Sequence, residues 1–333
     1  MNGIVESQNS PVMRSAPEPD TCPVCGDQGA REFLCGRDRF HGAAAVYRLL
    51  QCPSCSLVWL ADPPSPSEMG AHYGADYDRS VAKAGDSPER WKGRVKLIRE
   101  LKAGGSLLDL GCSNGGFLRA MKSPSWSLFG IEMSDSVATQ AARATGAQIY
   151  IGDILDAPYA SESFDVVTCF HVFEHLYHPR EVLAKVAAWL KPGGIFYTMM
   201  PNIHSAGERI FGSYWYALEL PRHLYHFSPL ALRRLADSVG LESYSIDTHR
   251  ELFFESSVRY CFDAALLNIG IARTPLAQAK TPGIPFRIVR KGFRWTALPL
   301  LNIVATLIGD GESIHAILRK PLAEHQSNTV GAN

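Results

Sequence analysis

Five apolar runs alternate with helical patterns along the middle of the chain: Ser106–Cys112, Leu128–Met133, Gln148–Ile154, Phe164–Phe170 and Gly194–Met200. The clearest helices between them are Ser134–Thr145 and Pro179–Leu190. Each run is apolar continuously rather than at every second residue, which predicts strands covered on both faces. Strands of that kind, joined through helices, pair in parallel with a helical layer on each side. Lys191-Pro192-Gly193-Gly194 stops the second helix and turns the chain into the next strand. The expected fold is α/β, a doubly wound and mostly parallel sheet.

The first run ends in Asp109-Leu110-Gly111-Cys112-Ser113-Asn114-Gly115, and a helix starts near Gly116. The glycines let this turn pass close beneath a ligand, and the helix N-terminus adds a favourable field. Gly111, Ser113 and Gly116 also fit a loosened GxGxxG, so an NAD-dependent oxidoreductase is the competing reading. The neighbouring acids separate the two. Asp109 would oppose a pyrophosphate but suits a cationic group. Glu132 closes the second run, where a carboxylate can take both ribose hydroxyls, a position that NAD enzymes share. Asp153 closes the third run, where it can accept from an adenine amino group. Three acids at successive strand ends suit a cationic nucleoside without phosphates.

At these residues the chain resembles the class I S-adenosylmethionine-dependent methyltransferases. The resemblance continues through Phe164-Asp165-Val166-Val167, His171-Val172-Phe173-Glu174-His175-Leu176 and Leu190-Lys191-Pro192-Gly193-Gly194, with Ser113 where the family has its middle glycine. It covers roughly residues 90–250 plus Ser313–Arg319. It implies a Rossmann-like sheet of seven strands whose last, here Ser313–Arg319, is antiparallel. It also implies S-adenosylmethionine as cofactor, placed against Asp109, Gly111, Ser113, Gly115, Glu132, Met133, Asp153, Ile154 and His171.

Four of the eight cysteines form two CxxC pairs, Cys22/Cys25 and Cys52/Cys55, with 26 residues between the pairs. Each pair makes a tight knuckle, and two knuckles complete a tetrahedral four-sulfur site for structural zinc. Residues 31–51 supply a hairpin between them. A module of about 40 residues buries too little apolar surface to fold alone, so a metal staple fits. The first 20 residues carry no export pattern, which assigns the thiols to a reducing cytoplasm. Such a head on such a core is similar to bacterial methyltransferases with a zinc-binding, zinc-ribbon-like module, sugar methyltransferases among them. A sugar, a lipid-linked saccharide or a small molecule is the expected acceptor. A non-catalytic zinc-ribbon adaptor with a retained cofactor fold is the alternative, against which Asp109, Glu132 and Asp153 speak.

The expected organisation is a disordered tail over 1–20, the zinc module over 21–62 and a helical connector over 63–103. The methyltransferase core follows over 104–250, a helical, apolar and basic insertion over 251–310, the last strand over 311–321, and a tail over 322–333.

His171-Val172-Phe173-Glu174-His175 also spells the HxxEH of zinc peptidases, which needs both histidines one turn apart on a single helix. Here His171 continues a strand, so a loop lining the active site is expected instead. Residues 214–229 are dense in aromatic and basic side chains and overhang the carboxyl edge of the sheet. Methyl transfer is an in-line displacement needing a positioned acceptor and, where required, a base. His223, His226 and His171 are the candidate bases. Arg222, Tyr216 and Tyr225 are candidate acceptor contacts, with aromatic packing as the alternative role for this segment.

Lys+Arg and Asp+Glu balance at 33 each, so no nucleic-acid partner is expected. No run of about 20 apolar residues offers a membrane span. Residues 264–309 hold no acid, and Arg287, Arg290, Lys291 and Arg294 alternate with Phe286, Phe293 and Trp295. That is the pattern of a helix lying in an anionic membrane surface, which makes the inner membrane surface a second expected location beside the cytoplasm. A lid over the cleft and a dimer contact are the alternatives.

Overall fold

The computed structural model describes residues 4–6, 21–39, 45–73, 88–251, 253–268, 292 and 311–322. Its strands are β1 (Ile4–Glu6), β2 (Arg31–Arg37), β3 (Val46–Gln51), β4 (Val58–Leu60), β5 (Gly105–Leu110), β6 (Trp126–Glu132), β7 (Gln148–Ile151), β8 (Phe164–Phe170), β9 (Leu190–Pro201), β10 (Tyr225–His226), β11 (Glu242–His249) and β12 (Ser313–Arg319). Its helices are α1 (Pro66–Met69), α2 (Lys92–Leu101), α3 (Gly116–Met121), α4 (Asp135–Thr145), α5 (Pro179–Trp189), α6 (Ala206–Phe211), α7 (Pro229–Asp237) and α8 (Phe253–Asn268).

The larger sheet runs β1-β7-β6-β5-β8-β9-β12-β11. β5 pairs in parallel with β6 and β8, and β6–β7 and β8–β9 are parallel too. β12 lies antiparallel between β9 and β11, as the resemblance implied. The strand order reverses at β5, which puts a ligand crevice at the carboxyl ends of β5, β6 and β8. Leu107, Leu108, Val166, Val167, Ile195 and Phe196 are fully buried along β5, β8 and β9, so both faces of the centre are covered.

An eighth strand stands outside the expected seven. β1 pairs in parallel with the edge of β7, Ile4 opposite Ile149 and Glu6 opposite Ile151, inside the segment expected to be a disordered tail. Two apolar residues in a polar stretch carry too little periodicity to announce a strand. β7 also stops short of Ile154, because Asp153 caps a tight turn over Ile154–Asp156 by accepting from the Leu155 N–H at 2.7 Å. The connector is broken into α1, short turns at Gly70–His72 and Pro88–Trp91, and α2. The insertion opens with α8, while the basic residues Arg287 to Arg294 lie outside the described residues.

The cysteine module and the core share a second sheet, ordered β10-β4-β3-β2. β10 comes from the loop after α6 and pairs antiparallel with β4, Tyr225 opposite Trp59 and His226 opposite Val58. The Leu60 N–H donates to the Leu224 carbonyl at 2.9 Å. Leu57, Val58 and Trp59 join Leu218, Leu224, Phe227 and Phe173 in one apolar cluster.

The two knuckles have the same backbone bonding. Cys22 N–H donates to the Asp27 carbonyl and Gly26 N–H to the Cys22 carbonyl; Cys52 N–H donates to the Leu57 carbonyl and Ser56 N–H to the Cys52 carbonyl. The residue after each second cysteine is left-handed, Gly26 at φ 73° and Ser56 at φ 63°. Glycine carries that conformation without strain whereas serine does not. Ser56→Gly should therefore stabilise the chain by up to about 1 kcal/mol, read as a raised Tm in calorimetry.

Candidate active site

The turn after β5 is left-handed at three positions, Gly111 (φ 67°), Ser113 (φ 51°) and Gly115 (φ 77°). At Gly111 a Cβ would stand 2.5 Å from the Val172 side chain, and at Gly115 2.8 Å from Thr145, so both need glycine for space as well as for φ. Glu132, at the end of β6, holds this turn in place. Its Oε2 accepts from the Ser113 N–H and its Oε1 from the Ser134 N–H, each at 3.0 Å. Carboxylate oxygens have two lone-pair directions each, so this bonding leaves room for ligand hydroxyls. Met133 is exposed beside it, Asp153 is exposed, and Ile154 is buried.

Asp109 is buried, and its Oδ1 accepts from the Thr168 hydroxyl at 2.7 Å. Burial pushes its carboxyl up to about 7, against the downward pull of Thr168 and Arg94. The acids singled out from sequence thus stand at neighbouring carboxyl ends of β5, β6 and β7.

His171 directly follows β8 with φ 55°, a left-handed conformation that is uncommon outside glycine and clusters at functional sites. Its N–H donates to the Met199 carbonyl at 2.8 Å, and its side chain stays 31% exposed. The next residues form a single tight turn, Phe173–His175, so the HxxEH letters straddle strand, loop and turn and do not share a helix. Glu174 points inward from that turn. It is 1% exposed, and neither carboxylate oxygen has a hydrogen-bond partner among the described residues. Its Oε1 lies 3.6 Å from His171 Nδ1 and 4.0 Å from His223 Nε2. Burial opposes its charge, but the facing imidazoles outweigh this and hold its carboxyl at about 2.

The segment 214–229 folds inward more than its composition announced. His223 and His226 are buried, and burial drops their pKa to about 4 and about 3. His175, also lowered to about 4 by burial, donates from Nδ1 to the Arg222 carbonyl at 3.0 Å. His223 donates from Nδ1 to the Ala217 carbonyl at 2.8 Å. Arg222 pairs with Glu219 at 2.7 Å inside the protein. Tyr225 donates to the Tyr177 carbonyl at 3.1 Å, and Tyr216 stacks 6.0 Å from Phe253. Of the three candidate bases, His171 is the one that reaches solvent. Glu219 and Glu312 were not singled out from sequence. Glu312 is buried beside Trp215 and raised to about 7 by burial, and the only signal for Glu219 was its spacing to Arg222.

The four knuckle thiols converge, with all sulfurs within 4.8 Å of one another. Cys22–Cys55 and Cys25–Cys52 are each 3.5 Å apart. A tetrahedral ion with metal–sulfur bonds of about 2.3 Å needs sulfur–sulfur edges of about 3.8 Å. The donors fit a zinc-class cation and would close its shell.

The methyltransferase-domain family matches residues 84–246. The ubiquinone biosynthesis O-methyltransferase of Bordetella avium is 31% identical over 164 residues, which cover 45% of this chain and 68% of the relative. The enzyme of that name from Idiomarina loihiensis is 31% identical over 158 residues, covering 43% of this chain and 64% of the relative. The chain thus spans less than two thirds of that relative's length. Among solved structures, phosphoethanolamine N-methyltransferase 2 of Haemonchus contortus with S-adenosylmethionine aligns over 75% of this chain and 59% of its own, at 18% identity and TM-score 0.48. A reversing parallel sheet with a glycine turn and acids at its strand ends defines a nucleoside-cofactor protein. The chain belongs to the S-adenosylmethionine-dependent methyltransferase family, and the NAD-dependent reading is set aside.

Asp109 makes a pH prediction. Unfolded, its carboxyl titrates near 3.9; folded, it holds its proton up to about 7. The folded chain binds the extra proton in that window, so the Asp109 contribution to stability falls as pH rises from about 4 to about 7. His175, His223 and His226, lowered by burial, act in the opposite sense over the same window. The Asp109 contribution is therefore read as the wild-type urea midpoint minus that of Asp109→Asn, a difference that should fall between pH 5 and pH 7.

Proposed function

We propose that the protein transfers a methyl group from S-adenosylmethionine to a hydroxyl of a small molecule, a sugar or a lipid-linked saccharide. What supports this is that Asp109, Glu132 and Asp153 stand at the ends of three neighbouring strands beside the left-handed Gly111–Gly115 turn, in a member of this family. The choice of oxygen rests on relatives named as O-methyltransferases.

The cofactor, when bound, supplies an electrophilic methyl group on a sulfonium. Glu132 would accept from both ribose hydroxyls, and the open backbone of Gly111, Ser113 and Gly115 would let the ligand lie close. Ile154 and Met133 would flank the base, and Asp153 would accept from its amino group. Asp109, once ionised, would favour the cationic group. At the open edge His171 takes the acceptor's proton, while Tyr216 and the buried wall of Arg222, His223, Tyr225 and His226 shape the acceptor side. Cys22, Cys25, Cys52 and Cys55 hold a structural zinc that takes no part in the reaction. No helix among the described residues is long and apolar enough to cross a membrane, and peripheral contact through 264–309 stays part of this proposal.

S-adenosylhomocysteine at about a hundred times its Kd should raise Tm by about 5 °C or more, and NAD should not. Stabilisation by NAD alone would sink the reading. Glu132→Ala should weaken cofactor binding by about 100-fold, measured by calorimetric titration. His171→Gln should lower kcat by about 100-fold while cofactor affinity stays within a few-fold.

A further inference from the structure

We propose a second metal site, separate from the four cysteines, in which Glu174, His175 and His223 hold one divalent transition-metal ion. One donor atom from each of the three lies within 4.8 Å of the others. The His223 Nε2 to Glu174 Oε1 separation is 4.0 Å. Metal–nitrogen and metal–oxygen bonds of about 2.0–2.2 Å put neighbouring donors roughly 3–3.5 Å apart, so side-chain closure by about 1–2 Å completes the site.

The orphaned carboxylate is the second, independent sign. Glu174 is 1% exposed with both oxygens unbonded among the described residues. The nearest imidazole nitrogens, 3.6 and 4.0 Å away, stand beyond hydrogen-bond reach, and proteins complete a carboxylate buried like this with a hydrogen-bonded partner or a metal. The histidines are set as metal ligands usually are. A carbonyl only accepts, so His223 Nδ1 facing Ala217 O at 2.8 Å and His175 Nδ1 facing Arg222 O at 3.0 Å both carry the proton. Each Nε2 then keeps a free lone pair, and the carbonyl fixes the ring, the outer-shell arrangement typical of metal-bound imidazole.

The donors come from two segments that the backbone ties together. Glu174 and His175 sit on the turn after β8, His223 lies on the loop before β10, and the Leu224 N–H donates to the Glu174 carbonyl at 2.9 Å. The remaining groups around the site are His171, 3.6 Å from the same Glu174 oxygen, and Glu219, 3.8 Å from His223 Nε2 and paired to Arg222. The His226 ring stands 6.1 Å from that of His223. Two imidazoles and one carboxylate favour zinc, cobalt or iron(II) over magnesium, and three protein donors leave a position open. The open position would take an acceptor oxygen entering from His171, a role that rests on the hydroxyl-methylation reading; the metal binding itself does not.

The test is a cobalt(II) titration of the intact, metal-stripped chain under a phosphine reductant. Two optical phases are expected. One has the intense near-ultraviolet charge transfer of four thiolates, and the other has only weak visible ligand-field bands. Glu174→Gln and His175→Gln should each weaken the second phase by about 100-fold or more and leave the first intact. Paired Cys22→Ser and Cys52→Ser changes should remove the first phase. Saturation of the wild-type chain with thiolate bands only would overturn the proposal, and so would a ligand-field phase indifferent to both variants. A ligand-field phase in a chain that binds no S-adenosylmethionine would keep this site and remove the functional reading.

Discussion

The pairing of β4 with β10 is the contact on which the histidine-loop side of the molecule depends. A strand of two residues has no stability of its own, and neither does a three-stranded module of about 40 residues. Each supplies what the other lacks. β10 gives the module a fourth strand and an apolar floor, while β4 fixes the loop that carries Arg222, His223 and His226. From Leu224 the bonding then runs in two directions, its carbonyl to Leu60 and its N–H to Glu174. The cysteine cluster, the histidine loop and the turn after β8 are therefore one connected body.

The cofactor side is built on different physics. It uses short-range backbone geometry, with glycines where φ is positive and a Cβ has no space, and Glu132 bracing the turn through two N–H groups. None of this needs the cysteine module.

That division also explains what could be read from the chain. β8 at Phe164–Phe170 matches the sequence reading to the residue, because an apolar run between turn signals is a local fact, whereas β12 at Ser313–Arg319 was legible only through the family resemblance. Ser134 as cap and Gly146 as stop of α4 are local too. The inward turn of His223 and His226 is not, since it follows from Trp59 and Val58 meeting Tyr225 and His226 across about half of the chain. A histidine among aromatics looks alike on a surface and in a wall. Glu174 was visible only as a letter in a peptidase-like motif, and its surroundings become apparent only when the loop before β10 closes over the turn after β8.

Hydrogen exchange of the intact chain, with its cysteine site loaded and then emptied by a chelator or by paired Cys22→Ser and Cys52→Ser changes, tests this account most directly. Opening of the knuckles should release protection over residues 216–228 together with β4, while β5, β6 and β7 keep theirs. Continued protection of 216–228 beside an opened cysteine module would contradict it.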